Sequence, residues 1–260
     1  MLKRCMDNKK IDIITINLNY KAGLEKTIES VLSQTAFDYI NYIIIDGGSN
    51  DGSKEVIEEY QDKLFYWISE KDKGIYNAMN KGLRQATSEY CLFLNSGDYL
   101  SSDDCLEKAL KYLDGTDILY GNEIKEKVLC TTANRDPFEW CKHNPLLYDI
   151  YSKSVIYHKN RKPVVYPDVL TEEFFMNESL PHQSTFIKTE LLKQHPYEEK
   201  YKIISDWKFL REAWKSGCTY KHIPVTVSVF NLDGFSSHNL DLMWEEKKKY
   251  YKGIKMKFQI

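Results

Sequence analysis

No stretch of this chain stays apolar for long. The longest runs reach about five residues, far short of the ~20 that a membrane-spanning helix needs. Neither sign of charge prevails. With 36 basic and 38 acidic residues the formal net charge is −2, so the broad positive field of a nucleic-acid binder is absent. The six cysteines, Cys5, Cys91, Cys105, Cys130, Cys141 and Cys218, form no CxxC and no pairing with histidine at zinc spacing. Scattered thiols in a chain of this size read as reduced, which places the protein in the cytoplasm. The polar opening MLKRCMDNKK runs straight into IDIITINL without the pattern of a signal peptide. No internal repeat or low-complexity segment is present.

What remains is ordinary globular composition, 42% hydrophobic and 28% charged over 260 residues. At 30.6 kDa, surface scaling gives about 12,000 Å² folded against about 44,000 Å² unfolded, so a large core needs no covalent staples. Aromatic residues are 13%, with 19 tyrosines, a composition that suits both cores and sites for half-polar ligands such as sugars.

Through the first 120 residues strand and helix signals alternate. Residues 11–18 are β-branched and read as a buried strand. Leu24, Ile28, Val31 and Leu32 recur with helical spacing. Residues 42–45 form a second strand ending at Asp46, and GGSNDGS follows as a turn. Ser53 is the expected cap of the next helix. A third strand is expected over 65–69, a helical stripe from Ile75 to Ala86, and a fourth strand over 91–94 before the turn NSGD. Such alternation predicts βαβ units and a mostly parallel, doubly wound sheet. Ligands of such sheets sit beyond the carboxyl ends of the strands. The polar clusters fall there: Asn17 and Asn19, Asp46 to Asp51, Glu70 to Asp72, and Asn95 to Asp98. Beyond residue 120 the pattern becomes irregular, with a few strands and long loops up to residue 180. A helix is expected over 205–217, capped by Ser205 and stopped by Gly217. A strand over 222–230 is interrupted by Pro224, and another helix follows over 241–252.

Three constellations carry candidate chemistry. A carboxylate in the turn Asn95–Asp98 can reach a hard cation, since Mg²⁺ and Mn²⁺ take one or two protein carboxylates beside phosphate oxygens; alone, the tetrapeptide is equally an ordinary turn. DGGSNDGS, from Asp46 to Ser53, lacks the dinucleotide glycine spacing and the GK[ST] of a phosphate loop. Its carboxylate can bind base or ribose, or simply tighten a turn. In SEKDKGIYNAMNKG, Glu70 and Asp72 precede a helix with Asn77, Asn80, Lys81 and Arg84 on its polar side. That arrangement suits a diphosphate, and also suits a plain surface helix.

Taken together, ITINLNYKAGLEKTIESVLSQT, IIIDGGSNDGS, SEKDKGIYNAMNKGL and CLFLNSGDYL resemble, in order and spacing, the family 2 glycosyltransferases of the GT-A fold. A fainter likeness continues through YGN, PHQSTF and SDWKFL, and the motifs look like a bacterial subgroup acting on cell-surface polysaccharides. The resemblance implies an α/β, Rossmann-like, mostly parallel central sheet flanked by helices, with a smaller mixed acceptor-side region. It divides the chain into a nucleotide-sugar-binding half (1–120), an acceptor and catalytic-base half (121–240) and a basic tail (241–260). It implies inverting transfer from a nucleoside-diphosphate sugar, UDP-linked by analogy, to a hydroxyl of a glycan or lipid-linked saccharide. Asn17 and Asp46 would surround the base, Asp72 would face base or ribose, and Lys81 would lie near the diphosphate. Asn19, Ser49, Gly74, Asn77 and Asn95 complete the donor set. Asp98 matches the last acid of the family's DxD and would hold Mn²⁺ or Mg²⁺. Asp206 matches the catalytic base, and His182 and Trp207 fall on the acceptor side. Three positions depart from the pattern: Asn95 replaces the first acid of DxD, Gly47 replaces an acid of DDGS, and Ser205 replaces the acid before the base. The changed DxD keeps open a non-catalytic GT-A module that binds nucleotide or glycan, against which the retention of Asp98 and Asp206 argues. The last 14 residues hold six lysines and no acid. With Tyr250, Tyr251, Ile254, Met256, Phe258 and Ile260 between them, they read either as a solvated helix or as a peripheral membrane contact.

Overall fold

Unbroken apolar runs make the central strands. β1 (Ile11–Asn17) and β2 (Ile40–Asp46) are buried on both faces, as parallel strands covered by helices must be. The computed structural model describes residues 9–126, 162–232 and 234–257. After β1 come α1 (Lys21–Leu32), β2, α2 (Ser53–Tyr60), β3 (Tyr66–Ser69), α3 (Ile75–Gln85) and β4 (Tyr90–Phe93). Then follow β5 (Tyr99–Leu100), α4 (Cys105–Leu110), β6 (Ile118–Glu126), α5 (Glu172–Asn177), β7 (Thr185–Lys188) and α6 (Thr189–Gln194). The remainder is α7 (Ser205–Lys215), β8 (Tyr220–Asn231), α8 (Phe235–His238) and α9 (Leu240–Lys257).

The eight strands among the described residues share one sheet in the order β3-β2-β1-β4-β7-β6-β8-β5. β3, β2, β1 and β4 run parallel, as do β6 and β8; β7 is antiparallel to both its neighbours and β5 to β8. The period of two splits the core. Tyr42 and Ile44 join Leu24, Ile28, Val56 and Ile57 on the α1–α2 face, while Ile43 and Ile45 join Met79, Leu83 and Leu210 on the α3–α7 face. α3 lies close on the sheet because residue 82 is glycine. A Cβ there would stand 2.4 Å from Ile14 Cγ2 and 3.3 Å from Ile45 Cγ1. Gly82→Ala gains helix propensity of about 1 kcal/mol but overpacks this contact by roughly 1–3 kcal/mol. We expect a net loss of up to about 2 kcal/mol, read as a lower urea midpoint with unchanged slope.

Several expectations change in the structure. β8 is not interrupted by Pro224. It runs through it, and the missing N–H falls where the β6–β8 register shifts, between Tyr120 and Glu123. Opposite this irregularity a Cβ at Gly121 would stand 2.5 Å from the Val225 carbonyl oxygen, so only glycine fits. Ser53 is the first residue of α2 rather than its cap. Asp51 does the capping, accepting the Ser53 N–H and hydroxyl on Oδ1 and the Lys21 N–H of α1 on Oδ2. Ser205 likewise begins α7, and its hydroxyl accepts the Glu198 N–H. Gly217, at φ +89°, closes α7 with the N–H of 217 on the Trp214 carbonyl and that of 218 on Ala213. The expected irregularity after residue 120 is in part a nine-residue strand, β6; Pro137 and Pro145, with Cys5, Cys130 and Cys141, lie outside the described residues.

Candidate active site

The strand ends deliver four polar turns to one edge of the sheet. Asp46 ends β2 in register with Asn17 of β1 and Ser69 of β3. Its carboxylate is fully used. Oδ1 accepts Asn17 Nδ2 (2.8 Å) and the Ser49 hydroxyl (2.5 Å), and Oδ2 accepts the Ser69 hydroxyl (2.6 Å) and the N–H groups of Gly48 and Ser49. Burial works against its charge, but the hydroxyls of Ser49 and Ser69 outweigh it and hold the carboxyl below the usual carboxylate range. Asp46 therefore organises the loop, which leaves the Asn17 Oδ1, buried and without a partner, as the polar atom this pair offers. Asn19, at φ 50°, donates its N–H to the Ser49 hydroxyl and accepts the Asn50 N–H, so both Asn19 and Ser49 shape the turn.

Asp72 stands at the next turn, paired with Lys81 of α3 at 2.7 Å; Glu70 also reaches Lys81, at 2.8 Å. Burial would lower the Lys81 pKa, but these two carboxylates raise it, keeping the ammonium charged. A Cβ at Gly47 would come within 3.0 Å of Asp72 Oδ2, so the departure from DDGS leaves room for Asp72. Gly74, at φ +130°, precedes α3 with open space beside it. Asn77 turns elsewhere, accepting the Lys73 N–H and donating to Glu199 at 3.0 Å. Through these bonds it ties α3 to the segment before α7.

The turn Asn95–Asp98 is anchored from below. Thr27 of α1 donates to the Asp98 carbonyl (2.7 Å) and accepts the Gly97 N–H (3.0 Å), and Ser96 donates to the Ile16 carbonyl. The Asp98 side chain points inward, 4% exposed, with Oδ1 accepting the Asn231 N–H at 2.8 Å. Burial pushes its carboxyl up to about 7, against the opposing pull of His182 and Asn231.

Asp206 lies in the first turn of α7, with 16% of its side chain exposed. Oδ1 accepts the Tyr76 hydroxyl and the Trp207 N–H, each at 2.8 Å. Oδ2 faces His182 Nδ1 at 3.2 Å, and His182 Nε2 meets Asn95 Nδ2 at 3.0 Å. With its proton on Nδ1, His182 donates to Asp206 and accepts from Asn95. Burial would raise the Asp206 pKa, but the bond and charge of His182 and the Tyr76 hydroxyl lower it, so the carboxylate is ionised. Burial would lower that of His182, and Asp206 raises it instead.

An unbroken chain of side chains, Asn95–His182–Asp206, thus links the two halves of the chain, and Tyr76 braces its end. Sequence reasoning passed over Tyr76. The signal was its spacing: it shares a helical face with Met79 and Leu83. Trp207, which its helical stripe with Leu210 and Trp214 also reads as core, takes the core position here. Its ring is 2% exposed, donates Nε1–H to the Phe175 carbonyl and packs edge-on against Tyr250 at 5.4 Å, so it presents no face to a sugar. Tyr250 and Tyr251 pack in the same aromatic group. They turn onto Trp207, and Lys248, Lys249 and Lys252 face outward. Residues 258–260 lie outside the described residues.

Among the described residues no three His, Cys, Asp or Glu side chains converge as metal ligands. A cation shared with a diphosphate needs fewer. Asp98 and the Asn95 Oδ1, which is buried and without a partner, are oxygen donors in one four-residue turn. These residues fit a hard divalent ion whose remaining ligands come from the donor and water. No helix among the described residues is long and apolar enough to cross a membrane.

The family model for "Glycosyl transferase family 2" matches residues 12–168. An uncharacterised glycosyltransferase of Mycobacterium tuberculosis is 37% identical over 105 residues, covering 40% of each chain, so the match spans two fifths of that relative. A PGL/p-HBAD biosynthesis glycosyltransferase of Mycobacterium bovis is 24% identical over 236 residues, 88% of this chain and 79% of that one. Among solved structures, S. aureus TarS 1-349 in complex with UDP-GlcNAc superposes with a TM-score of 0.61 at 18% identity, covering 85% of this chain and 58% of that one. The mannosyltransferase PcManGT from Pyrobaculum calidifontis, in complex with GDP-Man and Mn²⁺, gives 0.61 at 15%, covering 90% and 60%. At these identities the two structures share the GT-A fold with this chain, with its curled, mostly parallel sheet.

Proposed function

This chain belongs to glycosyl transferase family 2, and from that premise we propose that it moves a sugar, with inversion, from a nucleoside-diphosphate donor to a hydroxyl of a glycan or lipid-linked saccharide. The observation that carries the reading is the Asn95–His182–Asp206 chain, which couples the turn bearing Asp98 to an ionised carboxylate at a helix start. Residues 1–120 bind the donor and 121–240 supply the base and acceptor surface. The TarS complex with UDP-GlcNAc favours a UDP-linked donor, and the PcManGT complex favours Mn²⁺. Surface polysaccharide synthesis at the cytoplasmic side of a membrane is the setting that fits this donor and acceptor class. Lys248, Lys249 and Lys252 offer any peripheral contact there.

Asp98, with Asn95, would hold the divalent ion. When bound, that ion neutralises the charge growing on the departing diphosphate. Asp206 Oδ2 accepts the proton of the acceptor hydroxyl as the hydroxyl attacks the anomeric carbon. The hydroxyl of Tyr76 and the N–H of Trp207 fix Oδ1, so the carboxylate does not rotate while it waits. His182 keeps Oδ2 aimed and balances its charge until the proton arrives. Asp72 and Lys81 sit as a paired charge at the donor turn, ready to exchange partners with ribose and phosphate.

A panel of sugar nucleotides with Mn²⁺ or Mg²⁺, read by release of nucleoside diphosphate, tests this. Slow hydrolysis of one donor, abolished by EDTA, is expected. Nucleotide binding with no release from any donor, in the presence of acceptor glycans, would support the binding-module alternative kept open by Asn95.

A further inference from the structure

Two basic side chains are buried among the described residues, Arg211 and Lys247. Arg211 has its anion, Glu172, and a hydrogen bond from its guanidinium to the Tyr250 hydroxyl. The half-buried Lys81 and Lys208 also have carboxylate partners. Lys247 has none among the described residues. It is 5% exposed, makes no ion pair or hydrogen bond with them, and lies over two indole rings, 4.5 Å from that of Trp207 and 5.5 Å from that of Trp244. Desolvation pushes its amine down to about 8, and the carboxylates of Glu178 and Asp206 are the charges that oppose this.

A buried ammonium whose nearest carboxylates, Glu178 and Asp206, act at a distance and make no contact is unfavourable unless something offsets it. Indole faces offset part of it. They also hold the amine in place: Trp207 is fixed by its bond to the Phe175 carbonyl, and the neighbouring Glu246 is locked onto the N–H groups of 202, 203 and 204. The amine is therefore a preorganised positive charge within electrostatic range of Asp206, the group assigned to the acceptor hydroxyl. A neutral acceptor would leave this charge without an anion in contact, with only the more distant Asp206 and Glu178 opposing it. An anionic one would supply the missing partner and would otherwise be repelled by Asp206 and Glu178.

We propose that Lys247 is an acceptor-recognition residue that binds an oxyanion, a phosphoryl or carboxylate group, carried by the acceptor close to the hydroxyl that is glycosylated. The inference rests on the assignment of Asp206 as the acceptor base. Selectivity follows from it: acidic or phosphorylated saccharides are preferred over neutral ones of the same size.

Calorimetric titration of the full chain, without donor, tests this using glycerol phosphate, glucuronate and methyl glucoside as probes. We expect the wild type to prefer at least one anionic probe over the neutral one by about tenfold or more, and the two anions separate the phosphoryl from the carboxylate source. Lys247→Met keeps the stem on the indole faces and should lose that preference, while Lys247→Arg should restore most of it. Equal affinity of the wild type for charged and neutral probes overturns the proposal, even if Lys247→Met fails to fold. Equal anion binding by a folded Lys247→Met protein overturns it too. Donor hydrolysis is measured separately. A protein that hydrolyses donor without anion preference refutes this inference alone, and one that binds anions through Lys247 but turns over no donor refutes only the enzyme reading.

Discussion

Asp206→Asn is expected to lower transfer to acceptor by about 10²–10⁴-fold, the usual contribution of a positioned general base. The amide oxygen can still accept the Tyr76 hydroxyl and the Trp207 N–H, so the helix start keeps its shape. What disappears is the charge on Oδ2 that receives the proton. The amide NH₂ would then face His182 Nδ1–H, two donors 3.2 Å apart, and the imidazole must shift its proton to Nε2. Donor affinity, measured by nucleotide titration, should stay within about threefold, because the donor turns lie at the other end of the chain of bonds. His182→Ala removes an aiming group but leaves the carboxylate, so its loss should be smaller, about tenfold. Steady-state transfer of both variants decides between them. If Asp206→Asn retains transfer while His182→Ala abolishes it, the base is the imidazole and Asp206 is its orienter.

Asp98→Asn should yield a protein that is more stable and inactive. The native carboxyl titrates at about 7 because it is buried, against 3.8 for the ordinary group. From pH 3.8 upward the unfolded chain releases this proton while the folded chain retains it. Stability therefore falls as pH rises to about 7 and then levels off. At 1.36 kcal/mol per unit the cost at pH 8 is on the order of 4 kcal/mol as an upper bound. The amide that replaces the carboxyl carries no charge, and its oxygen keeps the Asn231 N–H. In EDTA at about pH 8 the variant should melt several degrees above the wild type, at roughly 2–4 °C per kcal/mol. The gap should close near pH 4, about where the unfolded group titrates. Donor turnover should fall at least about 100-fold, since the proposed cation site would lose its carboxylate. A variant less stable than the wild type under the same alkaline conditions would show that the Asp98 carboxylate is already balanced within the fold. Such a gain in stability on removing a functional acid has a simple cause: the site stores an unsatisfied charge for its ligand.

The donor half was legible in sequence because strand ends and turns are local. Ile11–Asn17, Ile40–Asp46 and the NSGD turn each declare themselves in a short stretch of chain. What those turns do was less legible. Asp46 reads as a ligand but is consumed by its own loop, through Ser49 and Ser69, and only partner geometry shows that. Asn77 and Lys81, one helical turn apart, diverge to Glu199 and Asp72, partners that lie in different parts of the chain. Trp207 and Tyr76 illustrate the general limit. A helical stripe tells which side chains turn inward, not what they meet, and Tyr76 meets a carboxylate 130 residues away. Lys247 carries the same lesson in reverse: in sequence it is one of a run of three lysines, and only packing separates it from its solvated neighbours.

The grip of Glu246 on the N–H groups of 202, 203 and 204 bears on the order in which the site can assemble during synthesis. Contacts among β1, β2, β3 and β4 become available before most of the chain beyond them has been made. The bend that leads into Asp206 waits for a glutamate made 44 residues after Lys202. A nascent chain could thus display a formed nucleotide cradle well before it owns a working base. On the proposed reading, donor binding would appear early in translation and turnover late.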